Sequence, residues 1–361
     1  MKPPPYTADD FAHSPFLVFY EVTRACDLVC QHCRACAQPR RHPKELPREQ
    51  SIELLQQLAT FPKPPLLVFT GGDPFKREDL AEMVEFARRQ GLTVALTPSA
   101  TPLVTAAALQ RLQQAGLHRL AFSLDGADAR THDTFRGTTG SFARTLELLT
   151  LARQLGLPLQ VNTTITQRNV DQIDAMADML ADRQIALWSV FFLVPVGRGL
   201  AEQRVTPMQY EYAFARLWHH ARMQPFAIKT TEAPHYRRFV LQRAGDPQGQ
   251  RDAQRAPLGV NDGKGVMFVS HTGQIFPSGF LPLECGRFPR DSVVDVYQHH
   301  PTFRALRDPD RLEGKCGTCE YRHVCGGSRA RAYAVTRNPL AAEPDCLYMP
   351  DNWKERLTCS A

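Results

Sequence analysis

The order of elements along the chain predicts an α/β fold of parallel strand–helix units, followed by a smaller cysteine-rich module. Three observations carry this expectation. Six runs rich in β-branched and aromatic residues alternate with amphipathic segments of helical period between residues 16 and 194. The alternation then stops, at the turn-like PVGRGL. The cysteines collect just after the first strand and again beyond residue 284.

The first strand is FLVFYEV (16–22), and CDLVCQHC follows directly on its C-terminal side. A helix is expected over 47–59, the strand LLVFT over 66–70 and a helix over 77–90. LTVALT (92–97), a helix over 106–115 and HRLAFSL (118–124) continue the pattern. A helix over 141–156, PLQVNTTI (158–165), a helix over 170–183 and ALWSVFFLV (186–194) complete it. Six such units fit a partial or full (β/α) barrel, or less well an open doubly wound sheet. Residues 206–242 read as helical and aromatic, and the Gly-, Pro- and Asp-rich stretch 244–265 reads as a connector. The domain expectation is therefore a barrel over 12–215, a helical bridge and connector over 216–265 and a cysteine-bearing module over 266–361.

With 361 residues, 43% hydrophobic and 22% charged, the chain has the composition of a soluble globular protein with a sizeable core. No apolar run reaches the length of a membrane span, and MKPPPYTADD has no apolar signal core. The expected setting is the cytoplasm, where ten cysteines serve better as metal ligands than as disulfides. The net charge of +6 is diffuse, with no basic run that points to nucleic acid.

Cys26, Cys30 and Cys33 are spaced C-x3-C-x2-C on the first loop at the C-terminal end of a strand. Parallel α/β folds place their chemistry on such loops. Three cysteines packing as small hydrophobes would be the plain alternative. A structural zinc site fits poorly, because zinc normally recruits four protein ligands. A four-iron cluster held by three thiolates keeps one iron free for a substrate or cofactor.

At these residues the sequence resembles the radical S-adenosylmethionine (SAM) superfamily, whose C-x3-C-x-aromatic-C signature is matched by Cys26, Cys30, His32 and Cys33. The resemblance implies a partial (β/α)6 TIM-type barrel. It implies a SAM-binding [4Fe–4S] cluster with three cysteine ligands, whose open iron chelates the cofactor's amino and carboxylate groups. Electron transfer from the cluster would then give a 5′-deoxyadenosyl radical that abstracts hydrogen from a substrate.

Further strand ends match the family. TGGDP (70–74) stands where the family shows GGEP, so Gly71, Gly72, Asp73 and Pro74 are cofactor-contact candidates, with Asp73 replacing the usual Glu. SLDG (123–126) resembles the ribose and carboxylate contact and nominates Ser123 and Asp125; alone, it would read as a helix cap. Position nominates Asn162 for the ribose hydroxyls and Leu193 for the apolar wall of the adenine. Cys36 is expected to be a bystander.

CGTCEYRHVCGG places Cys316, Cys319 and Cys325 at C-x2-C-x5-C spacing, with Cys346 downstream. In isolation four cysteines suit zinc as well as a cluster. Beside a radical SAM core they resemble the SPASM and twitch modules, which bind auxiliary four-iron clusters. The full SPASM form has seven cysteines. Here Arg329 and Ser278 occupy two of those positions, and no cysteine lies between 255 and 265, so one auxiliary [4Fe–4S] cluster is expected. Cys285 reads as a packing residue and Cys359 as part of a frayed terminus.

YEVTRACDLVCQHCRACA and CGTCEYRHVCGGSRARAYA resemble the branch containing the radical haem synthases, and also peptide maturases of the SPASM group. That implies a porphyrin-like or peptide substrate and an electron donor such as flavodoxin or ferredoxin. A substrate carboxylate would suit Arg34, Arg40, Arg41 and Lys44, which a solvated basic loop would explain equally well. A non-enzymatic iron–sulfur or zinc carrier or regulator is the alternative of another class. It leaves the three-cysteine loop and the glycines at the second strand end unexplained.

Overall fold

The computed structural model describes residues 6–7, 9–244, 259–351 and 353. Seven parallel strands run in sequence order: β1 (Leu17–Thr23), β2 (Leu66–Gly71), β3 (Thr93–Leu96), β4 (Arg119–Ser123), β5 (Leu159–Ile165), β6 (Leu187–Phe192) and β7 (Ala227–Thr231). Helices Arg48–Ala59, Leu80–Arg89, Ala106–Gln114, Ser141–Gln154 and Ile173–Ala181 link successive strands up to β6. Their apolar faces bury Leu54, Leu58, Met83, Val84, Leu109, Leu148 and Met176 against the outward side chains of the strands, such as Leu120, Phe122, Val161 and Trp188. The six expected units are all present, and the sheet stays open, as in a partial barrel.

Two departures from the expected layout matter. The stretch 206–242 is not all helical: after the helix Pro207–Met223 the chain forms β7, parallel to β6, before the helix His235–Ala244. Ala-Ile-Lys-Thr-Thr is too short and too polar to show an alternating pattern, and its pairing to β6 decides its conformation. The second departure is at the other edge. After β8 (Asn261–Asp262), strand β9 (Gly265–Val269) pairs parallel with β1, Leu17 opposite Val266 through Tyr20 opposite Val269. Strands β10 (Gln274–Phe276) and β11 (Gly286–Arg287) extend the sheet antiparallel beyond it.

Because side chains alternate along a strand, one face of β4–β7 packs on the helices and the other lines the barrel lumen. The register brings Ser123, Asn162, Ser189 and Lys229 into one row on the lumen side. The alternation is clean in β5, where Gln160, Asn162 and Thr164 are partly accessible and their neighbours are buried.

Candidate active site and auxiliary cysteine site

The loop after β1 holds the first three cysteines. Cys26 and Cys30 are buried with Leu28 and Ala37, and Cys33 packs against the same cluster. All three are free thiols. The loop is anchored at its base by the bridge between Ala25 and Gln38, with Cys26 N donating to Gln38 O at 2.8 Å. Leu28 N and Ala37 N each donate to a thiol, Cys26 and Cys33 respectively, at 3.4 Å. Burial pushes the Cys26 thiol up, against the hydrogen bonds from Ser99 and Leu28 N.

A second loop, after β6, clamps the first. Arg198 donates from Nε to Cys30 O at 2.8 Å and from Nη1 to Ala37 O at 3.2 Å. Its backbone N–H donates to Cys33 O at 3.1 Å. Gly197 makes the approach possible: it has φ +57°, and a Cβ there would lie 2.4 Å from Arg34 O. Sequence reading treated PVGRGL as a plain turn. The clamp is a tertiary contact, and only the paired glycines flanking an arginine hinted at it.

The glycines after β2 are equally constrained. A Cβ on Gly72 would sit 2.4 Å from Ala25 O, and Gly71 meets Thr23 O in the same way. Gly72 N and Asp73 N donate to Thr23 O and Ala25 O, so TGGDP lies directly against the start of the cysteine loop. Ser99 joins the two, donating to Gly72 O at 3.0 Å and lying 3.3 Å from the Cys26 sulfur. The Asp73 side chain points inward. It accepts from Thr101 Oγ1 at 2.6 Å and from Phe75 N at 3.2 Å, and burial pushes its carboxyl pKa up. Pro74 begins the short turn that follows.

Asp125 is fully buried and accepts from Thr164 N at 2.7 Å. It pairs with Arg136, which also reaches the Cys30 sulfur at 3.7 Å. Burial opposes ionisation of Asp125, but Arg136 holds its carboxyl below the usual range. His32 stacks on Phe135 with ring centroids 4.0 Å apart. Burial pushes its imidazole down to about 4, with Asp125 opposing and Arg136 adding to the shift. His32 is therefore neutral at physiological pH, and its 3.9 Å approach to Asp125 is a polar contact without a charge pair. Ser123 and Asn162 face the lumen next to each other in register. Leu193 is buried where β6 ends, beside Gly199 of the clamping loop.

Of the basic candidates, Arg34 is committed elsewhere: it pairs with Glu21 at 2.9 Å and lies 4.6 Å over the Phe268 ring. Arg41 pairs with Glu45 at 2.7 Å, while Arg40 and Lys44 are exposed on the outside of the loop. Cys36 takes φ +48° and presents its carbonyl to Arg24.

The C-terminal cysteines form a second site. Cys316, Cys319, Cys325 and Cys346 line one recess together with His235, Arg238, Lys315, Arg322 and Glu343. Four soft donors beside Arg238, Lys315 and Arg322 suit an anionic thiolate-ligated cluster. Glu343 N and Gly327 N donate to the sulfurs of Cys316 and Cys325. His235 is buried, and neither ring nitrogen has a hydrogen-bond partner among the described residues. A buried imidazole without a partner, beside four thiols, is what a group seated in the recess would satisfy.

The positions where the fuller cysteine pattern would continue are filled by polar packing. Arg329 is buried and donates to the carbonyl oxygens of Gly327, Pro339 and Ala341. Ser278 is buried and caps Phe280 N at 3.2 Å. Cys285 donates to Leu283 O, and burial pushes its thiol up to about 12. Cys359 lies outside the described residues.

The Radical SAM superfamily model matches residues 20–180. Over 346 residues the chain is 36% identical to the AdoMet-dependent heme synthase of Methanosarcina barkeri, covering 94% of this chain and 98% of that protein. The chain belongs to the radical SAM superfamily. As a radical SAM enzyme it uses SAM and a [4Fe–4S] cluster. This enzyme is also 28% identical to the pre-heme d1 synthase of Dinoroseobacter shibae, over 91% of this chain and 85% of that one. SuiB of Streptococcus suis, solved with S-adenosylmethionine, has the same fold: TM-score 0.73 at 15% identity, over 93% of this chain and 78% of that one. Among the described residues no helix of this radical SAM enzyme is long and apolar enough to cross a membrane.

Proposed function

We propose that this radical SAM enzyme removes the carboxyl group from a propionate side chain of an iron porphyrin, a haem-biosynthesis type of oxidative decarboxylation. The observation that carries the reading is 36% identity, across nearly the whole length of both chains, to AdoMet-dependent heme synthases of three organisms. Cys26, Cys30 and Cys33 are assigned to the catalytic cluster, because their sulfurs gather in one buried cluster with TGGDP lying directly against the start of their loop. Cys316, Cys319, Cys325 and Cys346 are assigned to one auxiliary [4Fe–4S] cluster. When bound, the catalytic cluster and SAM supply the radical that takes hydrogen from the substrate.

The protein's own contribution is positional. The Arg198 clamp and the two close-packed glycines fix the cysteine loop against β2 and β6. His32, whose imidazole burial pushes down to about 4, stacks on Phe135 and adds no charge to the cysteine loop. Free thiols among the described residues accord with a reducing, cytoplasmic setting; the electron comes from a small redox protein such as flavodoxin or ferredoxin.

A peptide-maturase reading draws support from weaker relatives, such as the PqqA peptide cyclase of Bradyrhizobium diazoefficiens at 26% identity. A carrier or regulator would hold metal without cleaving SAM. Anaerobically reconstituted enzyme with SAM, a reductant and iron coproporphyrin III is expected to form 5′-deoxyadenosine together with a porphyrin in which a vinyl group replaces a propionate. Formation of 5′-deoxyadenosine with no change in the porphyrin's mass would reject the substrate class. No 5′-deoxyadenosine at all would reject the enzyme assignment.

A further inference from the structure

The loop that bears the first three cysteines is also held by the end of the helix Ala129–Arg136. Phe135 stacks on the His32 ring, and its carbonyl accepts from Gln31 N at 3.0 Å. Gly137 follows in the left-handed region at φ +64°, where a Cβ would stand 2.8 Å from Val29 O. Between them the Arg136 side chain turns inward. Its Nη2 lies 2.5 Å from Asp125 Oδ2, and its Nη1 donates to the Cys30 sulfur at 3.7 Å. The other Asp125 oxygen accepts from Thr164 N at 2.7 Å. Asp125 is fully buried, so both of its oxygens are engaged inside the protein.

We infer that Arg136 tunes the catalytic cluster: it donates to the Cys30 thiolate and raises the cluster's reduction potential, and Asp125 is the residue that positions it. This rests on the assignment of Cys26, Cys30 and Cys33 to that cluster. Reduction adds a negative charge, and a hydrogen bond to a ligand sulfur stabilises the more negative state. A guanidinium suits the task because its prongs reach two acceptors at once in a fixed geometry. Asp125 balances its charge, so the pair adds none to the loop. What reaches the sulfur is a charge-assisted donor at short range. Asp125, which the family resemblance nominates for a SAM contact, acts here through Arg136.

The test is a redox titration of reconstituted holoenzyme without SAM, followed by EPR, with the C-terminal cluster of the same protein as internal reference. Arg136→Met removes the donor but leaves Asp125 unpaired, and both changes disfavour added negative charge. Arg136→Met combined with Asp125→Asn removes the donor alone, and it spares the fold a buried carboxylate without a partner. The double variant is expected to make reduction of the catalytic cluster about ten-fold less favourable, a downward shift of about 59 mV for one electron. The C-terminal cluster should not move. Asp125→Asn alone should also lower the potential, because the guanidinium loses its anchor. A rise there, from the lost negative charge, overturns the positioning role of Asp125. A wild-type potential in the double variant overturns the tuning. So does weaker SAM binding with an unchanged SAM-free potential, which would make Arg136 a contact of the cofactor instead. Variants that keep iron only at the C-terminal site would assign Arg136 to assembly of the loop and overturn the tuning as well. A catalytic-cluster signal that survives when Cys26, Cys30 and Cys33 are all changed to Ala overturns the underlying cluster assignment.

Discussion

Arg198 Nε donates to the carbonyl oxygen of Cys30 at 2.8 Å, so the loop leaving β6 grips the loop that bears the first three cysteines. Removing the guanidinium deletes both bonds, leaving the Cys30 carbonyl only the longer bond from Cys33 N at 3.3 Å; a buried acceptor left unpaired costs about 1–3 kcal/mol. Arg198→Ala is expected to lose iron from the catalytic site faster and to form 5′-deoxyadenosine more slowly, while the C-terminal site keeps its metal. Lys at 198 should recover only part, because an ammonium lacks the two-pronged geometry. Iron retention after gel filtration measures this directly.

The two cysteine sets predict separate iron losses. Reconstituted monomer should carry about eight irons, four per cluster. Changing Cys26, Cys30 and Cys33 to Ala should leave about four and abolish SAM cleavage. Changing Cys316, Cys319, Cys325 and Cys346 should leave the other four, about the same number. Mössbauer spectra giving near twelve irons, with a drop on Cys285→Ala, would mean that a second auxiliary site exists.

His235 offers a test of the second recess that does not depend on turnover. Burial pushes its imidazole down to about 3, so it stays neutral and keeps one N–H to donate. A donor aimed at a cluster sulfur stabilises the more negative, reduced form. His235→Phe should therefore lower the midpoint potential of the C-terminal cluster and leave that of the catalytic cluster unchanged. Redox titration followed by EPR would separate the two.

Arg331 and Glu343 form a fully buried ion pair at 2.9 Å, and Arg331 also reaches the carbonyl oxygens of Glu232 and Leu193. Removing one partner of such a pair costs about 3–5 kcal/mol. Arg331→Met should therefore destabilise the holoenzyme to denaturant by that order. Burial opposes ionisation of Glu343, but Arg331 holds its carboxyl below the usual range. The stabilisation is thus present above the ordinary glutamate range and is lost as pH falls through the lowered folded value. Glu343→Gln should flatten this part of the acid limb in a stability–pH profile.

Much of the molecule was legible in the chain because its signals are local. The six strands announce themselves as branched and aromatic runs, and the cysteine triplet and the TGGDP turn are contiguous. Strand β7 was missed because Lys229, Thr230 and Thr231 break the apolar pattern, and a lumen wall tolerates what a core would reject. Arg198 and His235 could not be read for a different reason: each acts on residues far away in sequence. Glu232, at φ +58° on the exit of β7, belongs with them. Burial and Asp262 raise its carboxyl well above the usual range, and Ser328 donates to it at 2.5 Å. None of these three has a motif.

The pairing of β9 with β1 reaches beyond the resting molecule. Leu17 and Val266 lie far apart in sequence, so β1 is synthesised long before one of its two neighbours. Contacts so distant in sequence slow folding, because a long loop must close before they contribute. Until then β1 has an unpaired edge, a hazard during synthesis. A fragment ending before β9 leaves that edge of β1 open and is expected to aggregate.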